Sequence, residues 1–184
     1  MKNDFSLCPK CGSKKIQNQD DRKWFCQDCG FILHNNVAAA VGAIICDKNK
    51  NVLFEVRAKD PRKGFLALPG GFVDADETLE EAIIRECKEE IGTEIESPEF
   101  LCSYPNTYEY KGIVYKTCDV FFIVRLPENQ SLEDLVSKLS IRESEVQKLV
   151  ISKVERKEDV EKLPMAFESS IKTLLKFTDL TADM

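Results

Sequence analysis

GFVDADETLEEAIIRECKEEIGT runs from Gly71 to Thr93, and its reading decides the rest of the chain. Thr78 followed by Glu81 is the pattern of a capping box, in which hydroxyl and carboxylate each satisfy an orphan backbone N–H. Gly92 stands where a left-handed residue ends a helix. Between them lie about four turns of good helix formers, with no Pro or Gly. At about 100° per residue, Leu79, Ala82, Ile83, Cys87 and Ile91 form an apolar sector, and Glu86, Glu89 and Glu90 share one arc at its edge. Carboxylates spaced i, i+3, i+4 repel one another, weakly in water and more strongly near a core boundary. A hard divalent cation relieves that repulsion. A solvated acidic face with Glu81–Arg85 and Arg85–Glu89 pairs is the other reading. The lead-in Leu68, Pro69, Gly70, Gly71 favours the cation, because such a turn lets backbone approach a ligand closely.

Gly71, Glu77, Arg85, Glu86, Glu89, Glu90 and Gly92 together resemble the Nudix box of the Nudix hydrolases: G, five residues, E, seven residues, R-E-U-x-E-E-x-G-U. Every charged and glycine position matches; Cys87 and Thr93 stand where bulky aliphatics are usual. The wider resemblance covers about Asn36 to Phe177. It implies an α/β class fold, a Nudix α/β/α sandwich with a mixed sheet between helices. It implies catalytic Mg2+ or Mn2+ on Glu86, Glu89 and Glu90, and in-line attack of an activated water on one phosphorus of a diphosphate. Arg85 would orient the carboxylates and Glu77 would steady the loop or add a ligand; an ion pair that merely holds the loop is the simpler role. For the general base, the candidates are a box carboxylate or Glu145, then Glu143, with Asn106 and Glu109 behind them. Nudix enzymes are often dimers, which implies a homodimer here.

The chain has 184 residues, 43% of them hydrophobic, enough for one ordinary domain with a small appendage. A net charge of −6 argues against general nucleic-acid affinity, though not against a substrate bearing a few phosphates. There is no apolar run of membrane-spanning length and no apolar segment of a signal peptide at the start, so a cytoplasmic protein is expected.

Cys8 and Cys11, then Cys26 and Cys29, form two C-x-x-C-G knuckles, a structural zinc spacing. Four thiolates make a closed tetrahedral Zn2+ site, and residues 1–35 read as a small β-rich zinc ribbon ahead of a Nudix domain at 36–184. Disulfides or redox pairs are the alternatives. Cys46, Cys87, Cys102 and Cys118 read as buried free thiols, as in a reducing cytosol. Trp24 reads as ribbon core, with base stacking as a second option. Residues 1–36 carry six Lys/Arg against four Asp, a weak argument for a nucleic-acid partner.

Further along, Val37–Cys46 reads as a strand buried on both faces, and Asn51–Arg57 as its hairpin return. Residues 58–64 form a basic loop, from which Arg57, Lys59, Arg62 and Lys63 could reach substrate phosphates, as could backbone at Gly70 and Gly71. Glu99–Ser103 and Ile113–Leu126 read as strands. Between them, Tyr104 to Gly112 reads as a connection whose aromatics, Tyr108 among them, stack a base or close a hairpin. Ser131–Leu139 reads as a short helix, Glu145–Ser152 as a strand, Val154–Leu163 and Ala166–Phe177 as helices.

A zinc ribbon before a Nudix domain is similar to the NADH pyrophosphatases. Those carry a Ser-Gln-Pro-Trp-Trp-type motif after the box, and no Trp follows Trp24 here. The implied substrates are therefore ADP-ribose, a nucleotide sugar, a dinucleotide or a capped RNA end. The competing class is a non-catalytic nucleotide- or RNA-binding sensor, which would have no need of the carboxylate cluster.

Overall fold

A computed structural model describes residues 5–182. Strands β1 (Ile16–Gln19), β2 (Lys23–Cys26) and β3 (Ile32–His34) form a small antiparallel sheet. Trp24 is buried at its centre, with the Phe5 ring edge-on at 4.8 Å. Among the described residues of this unit only Trp24, Cys8 and Cys26 are buried, too little apolar surface to fold unaided. Two knuckles face each other beside it. Gly12 N–H donates to the Cys8 carbonyl and Gly30 N–H to the Cys26 carbonyl, with both glycines in the left-handed region.

The larger sheet has six strands: β4 (Ala38–Cys46), β5 (Asn51–Arg57), β6 (Leu66–Ala67), β7 (Glu99–Tyr110), β8 (Ile113–Arg125) and β9 (Val146–Lys153). β4 lies parallel to β8, and the other pairings are antiparallel, so the sheet is mixed. One face packs on helices α1 (Leu79–Ile91) and α2 (Leu132–Val136) through Ala43, Ile45, Leu53, Phe122, Ile83 and Ile91. The opposite face packs on α3 (Lys157–Glu161) and α4 (Glu168–Ala182) through Ile44, Phe54, Val160, Leu174 and Phe177. The result is the expected α/β/α sandwich. Among the described residues no helix is long and apolar enough to cross a membrane.

β4 and β5 touch in register at Cys46 and Val52 and then splay apart. The segment after β5 enters the gap. Leu66 and Ala67 pair with β5, while Val41 N–H donates to the Gly71 carbonyl and Ala43 N–H to the Pro69 carbonyl. This wedge delivers Gly70 and Gly71 to the mouth of the sheet.

Several elements differ from expectation. β4 is buried on both faces from Val41 onward, whereas Val37 is 61% exposed, because the first residues run past the covering helices. Tyr104–Tyr110 is strand and not connection: β7 continues to a turn at Lys111 and Gly112, both at positive φ. Pro105 obscured this, but β7 is an edge strand, where a missing N–H is tolerated. α2 and α3 are five residues each, shorter than read, and α4 runs on to Ala182.

α1 has the caps its sequence announces. Thr78 Oγ1 accepts from Glu81 N–H, Glu81 accepts from Thr78 N–H, and Gly92 is left-handed at φ 69°. Replacing Thr78 with Ala is expected to lower unfolding free energy by about 1 kcal/mol. Urea titration followed by far-ultraviolet circular dichroism would measure it, and an unchanged midpoint would show that the cap contributes nothing.

Candidate active site

α1 turns Glu86, Glu89 and Glu90 towards the mouth of the sheet, at the wedge. Glu90 is buried, and its Oε2 accepts from Gly70 N–H at 2.9 Å. Gly71 lies so close to Glu86 that a Cβ there would meet the carboxylate at 2.6 Å. At Gly70, with φ 144°, a Cβ would strike the Val41 carbonyl. Glycine is needed at both places, for contact at one and for contact and conformation at the other.

Arg85 organises the rim. Its guanidinium grips Glu77 bidentately at 2.6 and 3.0 Å, donates to Glu86 at 2.8 Å, and donates to the Phe72 carbonyl at 3.1 Å. Glu77 also accepts from Asp74 N–H at 2.6 Å. Hydrogen bonds from Arg85 and Asp74 hold the Glu77 carboxyl below its usual range. Both halves of this pair therefore hold the loop between wedge and helix.

Behind Glu90 stands Glu55, 4% exposed, in a strand otherwise apolar from Val52 to Val56. Sequence reasoning missed it, although a lone carboxylate in a buried strand was the available signal. Burial, then the Glu90 charge, push the Glu55 carboxyl well above its ordinary value. Burial likewise raises Glu90 to about 7, against hydrogen bonds from Glu55 and Gly70 N–H. Both carboxyls of this buried pair are thus pushed towards the neutral form. Burial also raises Glu86, opposed by Arg85. Glu89 is the exposed member, reached by Arg142 at 3.2 Å. Arg142 was not foreseen, since it arrives from a loop 53 residues later.

These groups line a cavity of about 320 Å3 together with Arg57, Lys59, Tyr108, Asp119, Glu145 and Phe167. Glu145 is held by Lys59 at 2.9 Å and lies 3.9 Å from Arg142. The Arg57 guanidinium lies over the Phe167 ring at 5.1 Å. Tyr108 meets Phe72 edge-on at 5.5 Å. Arg62 lies outside this cavity, over Phe65, in an adjoining open cleft of about 1170 Å3. Glu109 lines that cleft too, and Asn106 lines both spaces.

The donor chemistry of the two sets suits the two expected kinds of metal, and among the described residues only the cysteine sulfurs already lie within reach of one ion. Hard oxygen donors with repelling charges, two of them raised in pKa, suit a Mg2+- or Mn2+-type cation. In the ribbon, the sulfurs of Cys8, Cys11, Cys26 and Cys29 lie within 4.8 Å of one another. Cys8 and Cys29 stand 3.8 Å apart, and Cys11 and Cys26 3.7 Å. A tetrahedron with Zn–S bonds of about 2.3 Å has edges of about 3.8 Å. Backbone N–H groups of Cys29 and Asp28 draw the Cys26 thiol down to about 7, towards the thiolate a metal needs.

The model of the NUDIX domain matches residues 37–169. A curated ADP-ribose pyrophosphatase of Methanocaldococcus jannaschii is 45% identical over 88 residues, 48% of either chain. A NAD-capped RNA hydrolase, NudC, of Haemophilus influenzae is 30% identical over 100 residues, 54% of this chain and 38% of that one. The alignment thus spans about half or less of these relatives. Among solved structures, a NUDIX hydrolase from Nitrosomonas europaea superposes with TM-score 0.63 at 21% identity, over 97% of this chain and 93% of its own. The NUDIX domain of Shewanella oneidensis NrtR, complexed with ADP ribose, superposes with TM-score 0.60 at 22% identity, over 79% and 90%. The likeness to both structures is one of fold.

A pH dependence follows from Glu55 and Glu90. Their carboxyls are raised in the folded state, so the stability they contribute is present below the ordinary carboxylate range and is lost as pH rises through about 7. In protein stripped of divalent ions, Glu55→Gln is expected to gain a few degrees of melting temperature relative to wild type between pH 5 and 8. Scanning calorimetry would read the difference; parallel pH profiles would contradict the raised carboxyls.

Proposed function

The chain belongs to the Nudix family, and from that membership we propose that it is a divalent-metal-dependent hydrolase of a diphosphate linkage in a nucleoside diphosphate derivative, of the ADP-ribose type. The observation that carries this reading is the convergence of Glu86, Glu89 and Glu90 with Arg57, Lys59 and Glu145 on one cavity. Carboxylates alone would repel a diphosphate and cations alone would merely bind one.

Glu86, Glu89 and Glu90 would hold the cation, which when bound supplies charge neutralisation and Lewis acidity at the diphosphate. Arg57 and Lys59, which line the same cavity, attract the diphosphate. Gly70 and Gly71 let backbone come up to it. Arg85 fixes the direction of Glu86, and Glu77 fixes Arg85. Glu145, flanked by Lys59 and Arg142, accepts the proton of the attacking water. Tyr108 and Phe72 offer aromatic surface to a ring of the substrate. Arg62 meets whatever extends into the outer cleft. The products are a nucleoside monophosphate and the phosphorylated remainder. The named activity of the Methanocaldococcus jannaschii relative supports the ADP-ribose type. The NrtR domain complexed with ADP ribose keeps a binding-only reading in view.

The roles of the units divide at residue 35/36: a ribbon over 1–35 closed by Zn2+ on Cys8, Cys11, Cys26 and Cys29, and a hydrolase domain over 36–184. All eight cysteines are free of disulfides, which suits the cytoplasm.

Turnover of ADP-ribose, NADH, FAD, a nucleotide sugar and capped RNA with Mg2+ or Mn2+ tests the reading, with products separated by chromatography. ADP-ribose is expected to be cleaved at its diphosphate, and Glu89→Gln to lower kcat on the order of 100-fold or more. Binding without turnover would replace the hydrolase by a sensor. For the ribbon, one zinc per chain is expected by elemental analysis, and Cys26→Ser should release it while the main domain keeps its melting transition. Zinc retained by Cys26→Ser would contradict the four-thiolate site.

A further inference from the structure

On the face of β8 that packs towards α4, Thr117 and Asp119 follow one another at the strand period, alternating with Cys118 and Val120, which serve the opposite core. Asn106 is the cross-strand partner of Thr117 on β7. Their neighbours on the other side, on β4, are Ala38 beside Thr117 and Ala40 beside Asp119. Small side chains next to polar ones leave space above the sheet, and that space is where the carboxylate cavity joins the outer cleft. Asn106 and Thr117 line both.

Two features single this ledge out. Thr117 is 3% exposed, and its hydroxyl takes no hydrogen bond among the described residues. A buried hydroxyl without a partner is disfavoured, and a fold seldom keeps one that nothing will satisfy. Asp119 is 8% exposed, and Oδ2 accepts from the Ser169 hydroxyl at 2.6 Å. That bond fixes the carboxylate, and Asp119 lines the carboxylate cavity.

We infer that Asn106, Thr117 and Asp119 form a recognition ledge for a neutral, hydroxyl-rich sugar ring carried by the diphosphate. An acidic side chain in the set repels phosphate and demands a donor. Threonine and asparagine can both give and accept, as a vicinal diol also does. A turn of the small Thr117 side chain presents its hydroxyl to the ring. The sugar occupies the junction of the two spaces, and the diphosphate lies inward from it, towards Glu86 and Glu90. A ledge that needs its hydroxyl matched rejects an analogue lacking one more sharply than an apolar wall would. This inference deepens the diphosphate-hydrolase reading and rests on it for the substrate class.

The test uses the full chain and the variants Thr117→Val and Asp119→Asn. Thr117→Val is isosteric and removes a buried unpartnered hydroxyl, so its melting temperature should equal or exceed that of wild type. Calorimetric binding of ADP-ribose in chelator reads the ledge without turnover. Each variant is expected to bind about 10-fold more weakly. The loss should disappear with one of two analogues. An alkyl ester of ADP that lacks the distal sugar assigns the ledge to that sugar; 2′-deoxyadenosine diphosphate ribose assigns it to the nucleoside. In turnover assays the variants should raise KM with kcat nearly kept. Equal ADP-ribose binding by wild type and both folded variants overturns the ledge, as does wild type that binds none. Variant-sensitive binding without any hydrolysis overturns the hydrolase reading and leaves the ledge standing.

Discussion

The contact between the Gly70–Gly71 backbone and the carboxylates of α1 is the constraint on which the site depends. Gly70 N–H holds Glu90, and the missing side chain of Gly71 makes room for Glu86. Neither could happen unless β4 and β5 splayed and the wedge filled the gap between them. Arg85 then closes the arrangement from outside, by tying Glu86, Glu77 and the Phe72 carbonyl to a single guanidinium. Local helix, wedge and sheet are thus one mechanical unit, and a methyl group added at either glycine would break it.

The electrostatics of that unit are unfavourable without a partner. Glu55, Glu86 and Glu90 are all raised by burial, Glu55 also by the charge of Glu90, and Glu90 also by the charges of Glu86 and Glu145. A fold selected for stability alone would have put apolar side chains there. Proton uptake by the buried carboxyls would offset part of the repulsion, and a divalent cation would offset more. Cations reach the site from three places in the sequence: Arg57 at the end of β5 with Lys59 just beyond it, Arg85 on α1, Arg142 before β9. Arg57, Lys59 and Arg142 line the cavity a diphosphate would fill, while Arg85 holds Glu86 from the rim.

What could be read from the sequence was what depends on neighbours along the chain. The capping box at Thr78, the left-handed Gly92 and the shared arc of Glu86, Glu89 and Glu90 are local, and so was the knuckle spacing of the ribbon. Glu55 and Arg142 were not legible, because their meaning comes from a strand and a loop brought against α1 by the sheet. Tyr104–Tyr110 was misread for a related reason. Pro105 argues against a strand until one knows that the strand is at an edge, and edge position is a property of the whole sheet. Arg62 was grouped with Arg57 by proximity in sequence, yet the turn between them sends it over Phe65 and into the outer cleft.

If the α1 carboxylates hold a divalent cation at the wedge, Mn2+ titration of the full chain followed by electron paramagnetic resonance will detect it, with wild type compared to Glu86→Gln. Saturable Mn2+ binding is expected in wild type, with affinity reduced on the order of 10-fold or more in the folded variant. Equal binding by the two proteins would place the cation elsewhere.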